Sequence, residues 1–213
     1  VQKEKLEREL LQFAKVLQSE RKKVASSLEK RMIKELSTLN LKNTKFEIHF
    51  FEKSFTENGI DDVSFFISFN AGEEPKPFHK IASGGEISRF MLALKNIIST
   101  TDEIDTMIFD EIDTGVSGVA ANQIGEKLQE IGQCKQVLCI THLPQIASFG
   151  QQHLLVTKEE KRGSVNTHIY PLKKEDRIRE IAKMTVGENI TPISLENASE
   201  LFHKNQKEMN ENE

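Results

Sequence analysis

Cysteine is scarce in this 213-residue chain: Cys134 and Cys139 are the only two. Their spacing fits neither a metal motif nor a disulfide framework, which points to a reducing cytosol and away from a stapled secreted scaffold. No apolar run is long enough to cross a bilayer, no secretory leader opens the chain, and no segment repeats. The expectation is a cytoplasmic protein with no membrane partner. An initiating Met is missing as well, since the chain opens on Val1-Gln2-Lys3, so a fragment of a longer protein is expected. Nor is there an excess of positive charge. With 29 Lys and Arg against 33 Asp and Glu, the net charge of −4 excludes coating nucleic acid by charge alone, while a local basic patch stays open.

What the chain does hold is one globular domain's worth of residues plus an appendage. Residues 1–39 read as a single helix. Leu6, Leu10, Phe13, Leu17 and Val24 recur at three- and four-residue steps, Glu20 and Ser27 break that seam, and Leu28, Met32, Leu36 and Leu39 resume it in shifted phase. Such a break suggests the end of a coiled coil, and an amphipathic helix packed on the domain is the alternative. The coiled coil is preferred because no other apolar face is evident. Phe46, Ile48 and Phe50 then alternate, as do Val63, Phe65, Ile67 and Phe69, across a turn containing Asn58-Gly59. Phe51 and Phe66 fall on the opposite faces, so both sides of this pair are expected to be covered.

Chemistry gathers in three later stretches. Ser83-Gly84-Gly85-Glu86 opens a helical run from Ile87 to Ile98. Ser83 and Glu86 have the spacing of a capping box, and the glycines let another molecule approach the backbone closely. A glycine-rich turn at a helix N-terminus is an anion site, and an ordinary capped helix is the plainer reading. Thr106 to Phe109 suits a strand buried on both faces, ending in Asp110 and Glu111. Carboxylates beyond a strand's C-terminal end reach the ligand crevice of an open α/β sheet, or else make a solvated turn. Gln136 to Ile140 reads as a second buried strand that delivers Thr141 and His142. In a parallel neighbour His142 would emerge near Asp110 and Glu111, able to donate to a γ-phosphate or to orient water. Otherwise it is a turn residue.

Together these residues resemble the ABC-type ATPases: Ser83 to Glu86 their signature, Ile108 to Glu111 their Walker B strand, and His142 their switch histidine. The longer runs Lys80 to Arg89, Phe109 to Gly118 and Thr141 to Ala147 are similar to the RecN family of SMC-like bacterial repair ATPases. The likeness covers Phe46 to Phe202. It implies an α/β ATPase head lobe, the C-terminal one, with a coiled-coil stub (1–39), the head proper (40–204) and a polar tail (205–213). It also implies that Asp110 holds Mg²⁺ and Glu111 activates the attacking water. Ser83, Gly84, Gly85 and Glu86 would bind ATP held by a second head in an ATP-dependent homodimer. The other implied partners are the N-terminal lobe of the same protein and DNA.

The sequence departs from that pattern in lacking any G-x-x-x-x-G-K-[ST] phosphate loop, and in placing Ser117 where many relatives carry an acid. An ABC transporter ATPase and a non-catalytic interaction module are the rival functions. The helix before the hairpin counts against the first, and the intact Asp110-Glu111 pair against the second. Elsewhere, a helix is expected from Ser117 to Ile131 with Val119, Ile124, Leu128 and Ile131 on one side. A short helix should span Pro144 to Phe149, followed by a hairpin with a charged tip at Lys158 to Gly163. Another helix is read from Glu175 to Met184, and a last one, capped by Ser194, ends near Phe202.

Overall fold

A computed structural model describes residues 2–99, 101–161 and 164–210. It divides into two compact units, Val1–Ile98 and Ser99–Glu213, taken here in turn.

The first unit is built on helix α1, Gln2–Thr38. Asn40 ends it with φ at 62°, and the Leu41 amide reaches back to the Leu36 carbonyl at 3.0 Å. That is a Schellman cap, with Asn supplying the left-handed residue and two buried leucines as its apolar pair. The seam of Leu6, Leu10, Phe13, Leu17 and Val24 is exposed along its whole length. A different face packs inward: Ala14, Ala25, Met32 and Leu36 are buried, with Gln18, Arg21 and Leu28 half-buried between them. The reading that α1 has no second apolar face is therefore overturned. Counting large apolar residues misses a face whose first half is alanine and bonded polar groups. Gln18 donates to the buried Asp61 carboxylate at 2.6 Å, and Arg21 to Asp61 at 3.3 Å and to the Asn58 carbonyl at 2.8 Å.

Asp61 lies on β2 (Gly59–Ser68), which pairs antiparallel with β1 (Lys45–Thr56). Gly59 closes the turn at φ 96°, a backbone angle that favours glycine. Phe46 and Ile67 face each other in register and are buried. The opposite face is not covered as expected, since His49 stacks on Phe66 at 4.2 Å while Phe51 stays exposed. A two-residue strand, β3 (Lys76–Pro77), and a 3-10 turn, Phe78–Lys80, lead into α2 (Gly84–Ile98). Phe90 anchors α2 edge-on against Phe46 at 5.3 Å.

In the second unit β4 (Thr106–Phe109) runs parallel to β5 (Gln136–Cys139), linked through α3 (Gly118–Gly132). The strands are covered on one face only, contrary to the expectation of two. Met107 and Phe109 are buried, whereas Ile108 is 69% exposed and Ile140 60%. Helix α3 buries Ala120, Ala121, Ile124, Gly125, Leu128 and Ile131. Val119 instead points outward, because five residues before Ile124 is not helical spacing and Ala120 takes the inward place. Gly125 lets α4 (Pro144–Phe149) close in: a Cβ there would lie 2.2 Å from the Phe149 ring.

Strands β6 (Leu154–Lys161) and β7 (Ser164–Pro171) form the expected hairpin, but Lys158 to Glu160 are paired within it rather than in a tip. Arg162 and Gly163 lie outside the described residues. Helix α5 (Lys174–Val186) stops at Gly187, where φ is 74°. Helix α6 (Pro192–Asn210) is capped by Thr191 rather than Ser194. The Ser194 amide donates to Thr191 Oγ1 at 3.2 Å and the Thr191 amide to Ser194 Oγ at 2.9 Å, a reciprocal box with Pro192 at the first position. The helix also outruns its expected end near Phe202. Asn205 is buried and donates to Ser148 Oγ at 2.7 Å, and Gln206 donates to the Ser148 carbonyl at 2.8 Å, so the polar stretch from 205 begins as docked helix. Polar residues bonded to a neighbouring helix look like tail in sequence.

Gly125 supplies a test. Gly125→Ala forces a methyl into the Phe149 ring and should destabilise the chain by about 1–3 kcal/mol. Gly132→Ala, where a Cβ meets nothing within 4 Å, is the control. Thermal unfolding of both variants checks this, and a Gly125→Ala protein as stable as its control would refute the close packing.

Candidate functional site

The C-terminal ends of β4 and β5 carry the site residues of the second unit. Phe109 pairs with Cys139, and one step on the Ile140 amide donates to the Phe109 carbonyl at 2.9 Å. Asp110 and Glu111 leave from one strand, Thr141 and His142 from the other. Both acids are exposed, and the Glu111 amide donates to Asp110 Oδ1 at 2.9 Å. Glu111 has φ at 57°, a left-handed backbone that costs a residue with a Cβ on the order of 1–3 kcal/mol. The chain then turns: the Thr114 amide donates to the Glu111 carbonyl at 3.2 Å and the Val116 amide to the Asp113 carbonyl at 3.2 Å.

His142 stands at the strand end that its position predicts, yet the carboxylate it meets is neither Asp110 nor Glu111. It is Asp113, buried to 4% exposure, whose Oδ2 lies 3.0 Å from His142 Nδ1. The same oxygen accepts from the His142 amide at 2.8 Å and from Thr141 Oγ1 at 2.6 Å. Thr141 Oγ1 in turn accepts from the Leu143 amide at 3.0 Å. Sequence reasoning gave Asp113 no role. The signal was a third acid two places after the pair, in a turn where solvent is the default reading. Cys139 lies beneath this edge. Burial, then the charges of Asp113 and Asp110, push its thiol up to about 12, so it stays neutral.

The remaining predicted residues belong to the first unit. The Ile87 amide donates to the Ser83 carbonyl at 3.0 Å and α2 begins at Gly84, so Ser83 occupies the N-cap position. Gly85 is buried, while Gly84 is exposed and Ser83 and Glu86 are half-buried. One turn into the helix Arg89 is buried. Removal from water lowers its pKa, and the Glu86 charge opposes that shift. Among the described residues no group of three or more His, Cys, Asp or Glu side chains could hold a metal by itself.

No protein-family model matches the chain. Comparison with individual proteins is more informative. Over 187 residues the chain is 46% identical to the DNA repair protein RecN of Halalkalibacterium halodurans, covering 85% of this chain and 33% of that protein. It is 40% identical over 198 residues to RecN of Bacillus subtilis, covering 85% and 34%. Over most of its length the chain resembles RecN. It spans about a third of the length of the curated relatives it matches. Among solved structures, the Smc head domain with a coiled coil and joint from Pyrococcus yayanosii aligns at a TM-score of 0.54 and 16% identity. That alignment covers 86% of this chain and 35% of the other. At that identity the likeness speaks for the fold, and the fold of this RecN-like chain is that of an SMC-type head lobe.

The backbone at Glu111 can be tested without any assay of function. Glycine there relieves the left-handed strain, and a β-branched residue worsens it. Glu111→Val should be less stable than Glu111→Gly by about 1–2 kcal/mol in denaturant unfolding. Equal stabilities would mean that the left-handed conformation is not held in solution.

Proposed function

We propose that this chain is one half of a composite ATP site in a RecN-type ATPase acting in recombinational repair of DNA double-strand breaks. One observation carries the proposal: parallel pairing of β4 and β5 brings Asp110-Glu111 and His142 to a single edge, with Glu111 in a strained backbone. Strain of that kind persists where surrounding structure over-determines it, and such places cluster at working sites.

In this reading ATP is the substrate and the missing phosphate loop comes from the N-terminal lobe of the same protein. The apolar residues left in water on β4, on β5 and just beyond it, Ile108, Leu138 and Ile140, support such a neighbour. Asp110 would hold Mg²⁺; an exposed carboxylate suits an ion that keeps several waters and takes the rest of its ligands from substrate phosphates. When bound, that ion would neutralise charge on the phosphates. Glu111, exposed beside Asp110, would take a proton from the attacking water. The Ser83 turn would bind the γ-phosphate of nucleotide held by a second copy of the head, through amides at the N-terminus of α2. ATP binding then joins two heads and hydrolysis parts them. The exposed seam of α1 supports a coiled-coil partner over residues 1–39, which would relay the cycle to bound DNA at the bacterial nucleoid.

The two acids have separable roles. In the complete protein Glu111→Gln should keep ATP affinity while turnover falls by about 10²-fold or more, and joined heads should accumulate. Asp110→Asn should weaken Mg²⁺-dependent nucleotide binding itself. Equal losses of ATP affinity in the two variants, measured by calorimetry, would contradict this assignment.

The signature turn is tested in trans. Ser83→Arg puts a long side chain where a phosphate should approach and leaves the other head's phosphate loop untouched. ATP binding should survive, whereas ATP-driven dimerisation in analytical ultracentrifugation and hydrolysis should be lost together. A variant that hydrolyses ATP at the normal rate would reduce the turn to a helix cap.

A further inference from the structure

Asp113 is the one buried acid at the β4–β5 edge, and its position decides something that the identity of His142 leaves open. A neutral imidazole carries one proton, on either Nδ1 or Nε2. A carboxylate oxygen and a bare imidazole nitrogen are both acceptors and repel at the 3.0 Å that separates Asp113 Oδ2 from His142 Nδ1, so the proton of the neutral ring is favoured on Nδ1. His142 is itself pinned at that carboxylate. Its own amide and the neighbouring Thr141 hydroxyl converge on the same Oδ2, and the Leu143 amide locks Thr141 from the other side. Both ends of the contact are thereby held: Asp113 by burial, His142 by the turn on which it sits. The histidine side chain is otherwise 73% exposed, so Nε2 is left to meet solvent or ligand.

We propose that Asp113 is a positioning residue that fixes His142 as the Nδ1–H tautomer. Neutral His142 then presents a bare Nε2, which accepts a hydrogen bond from water. It donates from Nε2 to a phosphate only as the imidazolium, with Asp113 as its counter-ion in a charge-assisted contact. The tautomer follows from the fold alone. Its consequence for turnover rests on the proposed ATPase.

The first measurement is a long-range ¹H–¹⁵N spectrum of complete protein labelled with ¹⁵N-histidine, at a pH well above the ordinary imidazole value of about 6.5. His142 is assigned by the signal lost in His142→Gln. Its pattern should be that of Nδ1–H in the wild type and should change toward Nε2–H in Asp113→Ala. An Nε2–H pattern in the wild type overturns the proposal, whether or not Asp113→Ala folds. The second measurement is steady-state ATP hydrolysis. Asp113→Asn should lower kcat by about tenfold or more with KM for ATP changed less than about twofold. In a His142→Ala background the same substitution should change kcat by less than about twofold, because a residue acting through His142 has nothing left to position. Additive losses would overturn the positioning role. A wild-type protein without ATPase activity would count against the proposed function alone, and the spectrum would still decide the tautomer.

Discussion

One backbone hydrogen bond sets the geometry of the second unit: the Ile140 amide to the Phe109 carbonyl, 2.9 Å, the last rung between β4 and β5. Because the strands are parallel, their C-terminal ends lie at the same edge, and whatever follows each strand emerges beside the other. Asp110 and Glu111 come off one end and Thr141 and His142 off the other. The turn after Glu111 then folds back far enough for Asp113 to accept from the Thr141 hydroxyl and the His142 amide at the opposite strand's exit, with His142 Nδ1 3.0 Å away. The packing beneath enforces this edge. Ala120, Ile124 and Leu128 bury α3, and Gly125 lets the Phe149 ring of α4 come close. Since α4 starts two residues after His142, a helix held tightly there also holds the histidine.

How much of this was legible depended on whether a residue's role is local. The strands ending at Phe109 and Cys139 were readable as short apolar runs, and their parallel pairing from the helix between them. The N-cap position of Ser83 followed from residues within one turn. Asp113 was not readable, because its two donors lie 28 and 29 positions along the chain. The inward face of α1 failed for a related reason: Gln18 and Arg21 count as surface until Asp61, 43 and 40 positions away, is seen buried opposite them. Thr191 was passed over for Ser194 because either hydroxyl could cap, and the choice lies in which backbone carbonyl the helix uses. Val119 erred by simple arithmetic, a large apolar side chain on the wrong step of the helix.

The overestimate of strand burial has a different origin. Continuous apolar runs do predict strands covered on both faces, and β4 and β5 carry such runs. Within this chain α3 covers one face, which leaves Ile108, Leu138 and Ile140 in water. Fully burying such a side chain stabilises by about 1.5–3 kcal/mol, so three together exceed the worth of most single contacts in a domain. A two-stranded sheet is marginal alone. Under the proposed function the pattern belongs to a larger sheet, which the N-terminal lobe completes. The outward seam of α1 repeats the logic on a helix, where Leu6, Leu10 and Phe13 follow coiled-coil spacing and stay exposed among the described residues.

The groups assigned chemistry and the groups that hold them differ consistently in solvent exposure. Asp110, Glu111 and His142 are exposed, free of the desolvation that would cost a charged side chain most. Asp113 and Arg89 are buried, each beside a backbone turn that carries proposed ligand contacts. A buried charge must be satisfied by directed bonds, and directed bonds fix position where apolar packing only fixes distance. For Asp113 those bonds reach the Thr141–His142 turn directly. Cys139 completes the contrast, since a thiol held near 12 by burial and two carboxylates adds bulk beneath the edge without adding charge. Under the proposed function, a site arranged this way leaves its side chains open to a partner's nucleotide while the backbone beneath them stays fixed, which is what a half-site needs if it must be ready before the other half arrives.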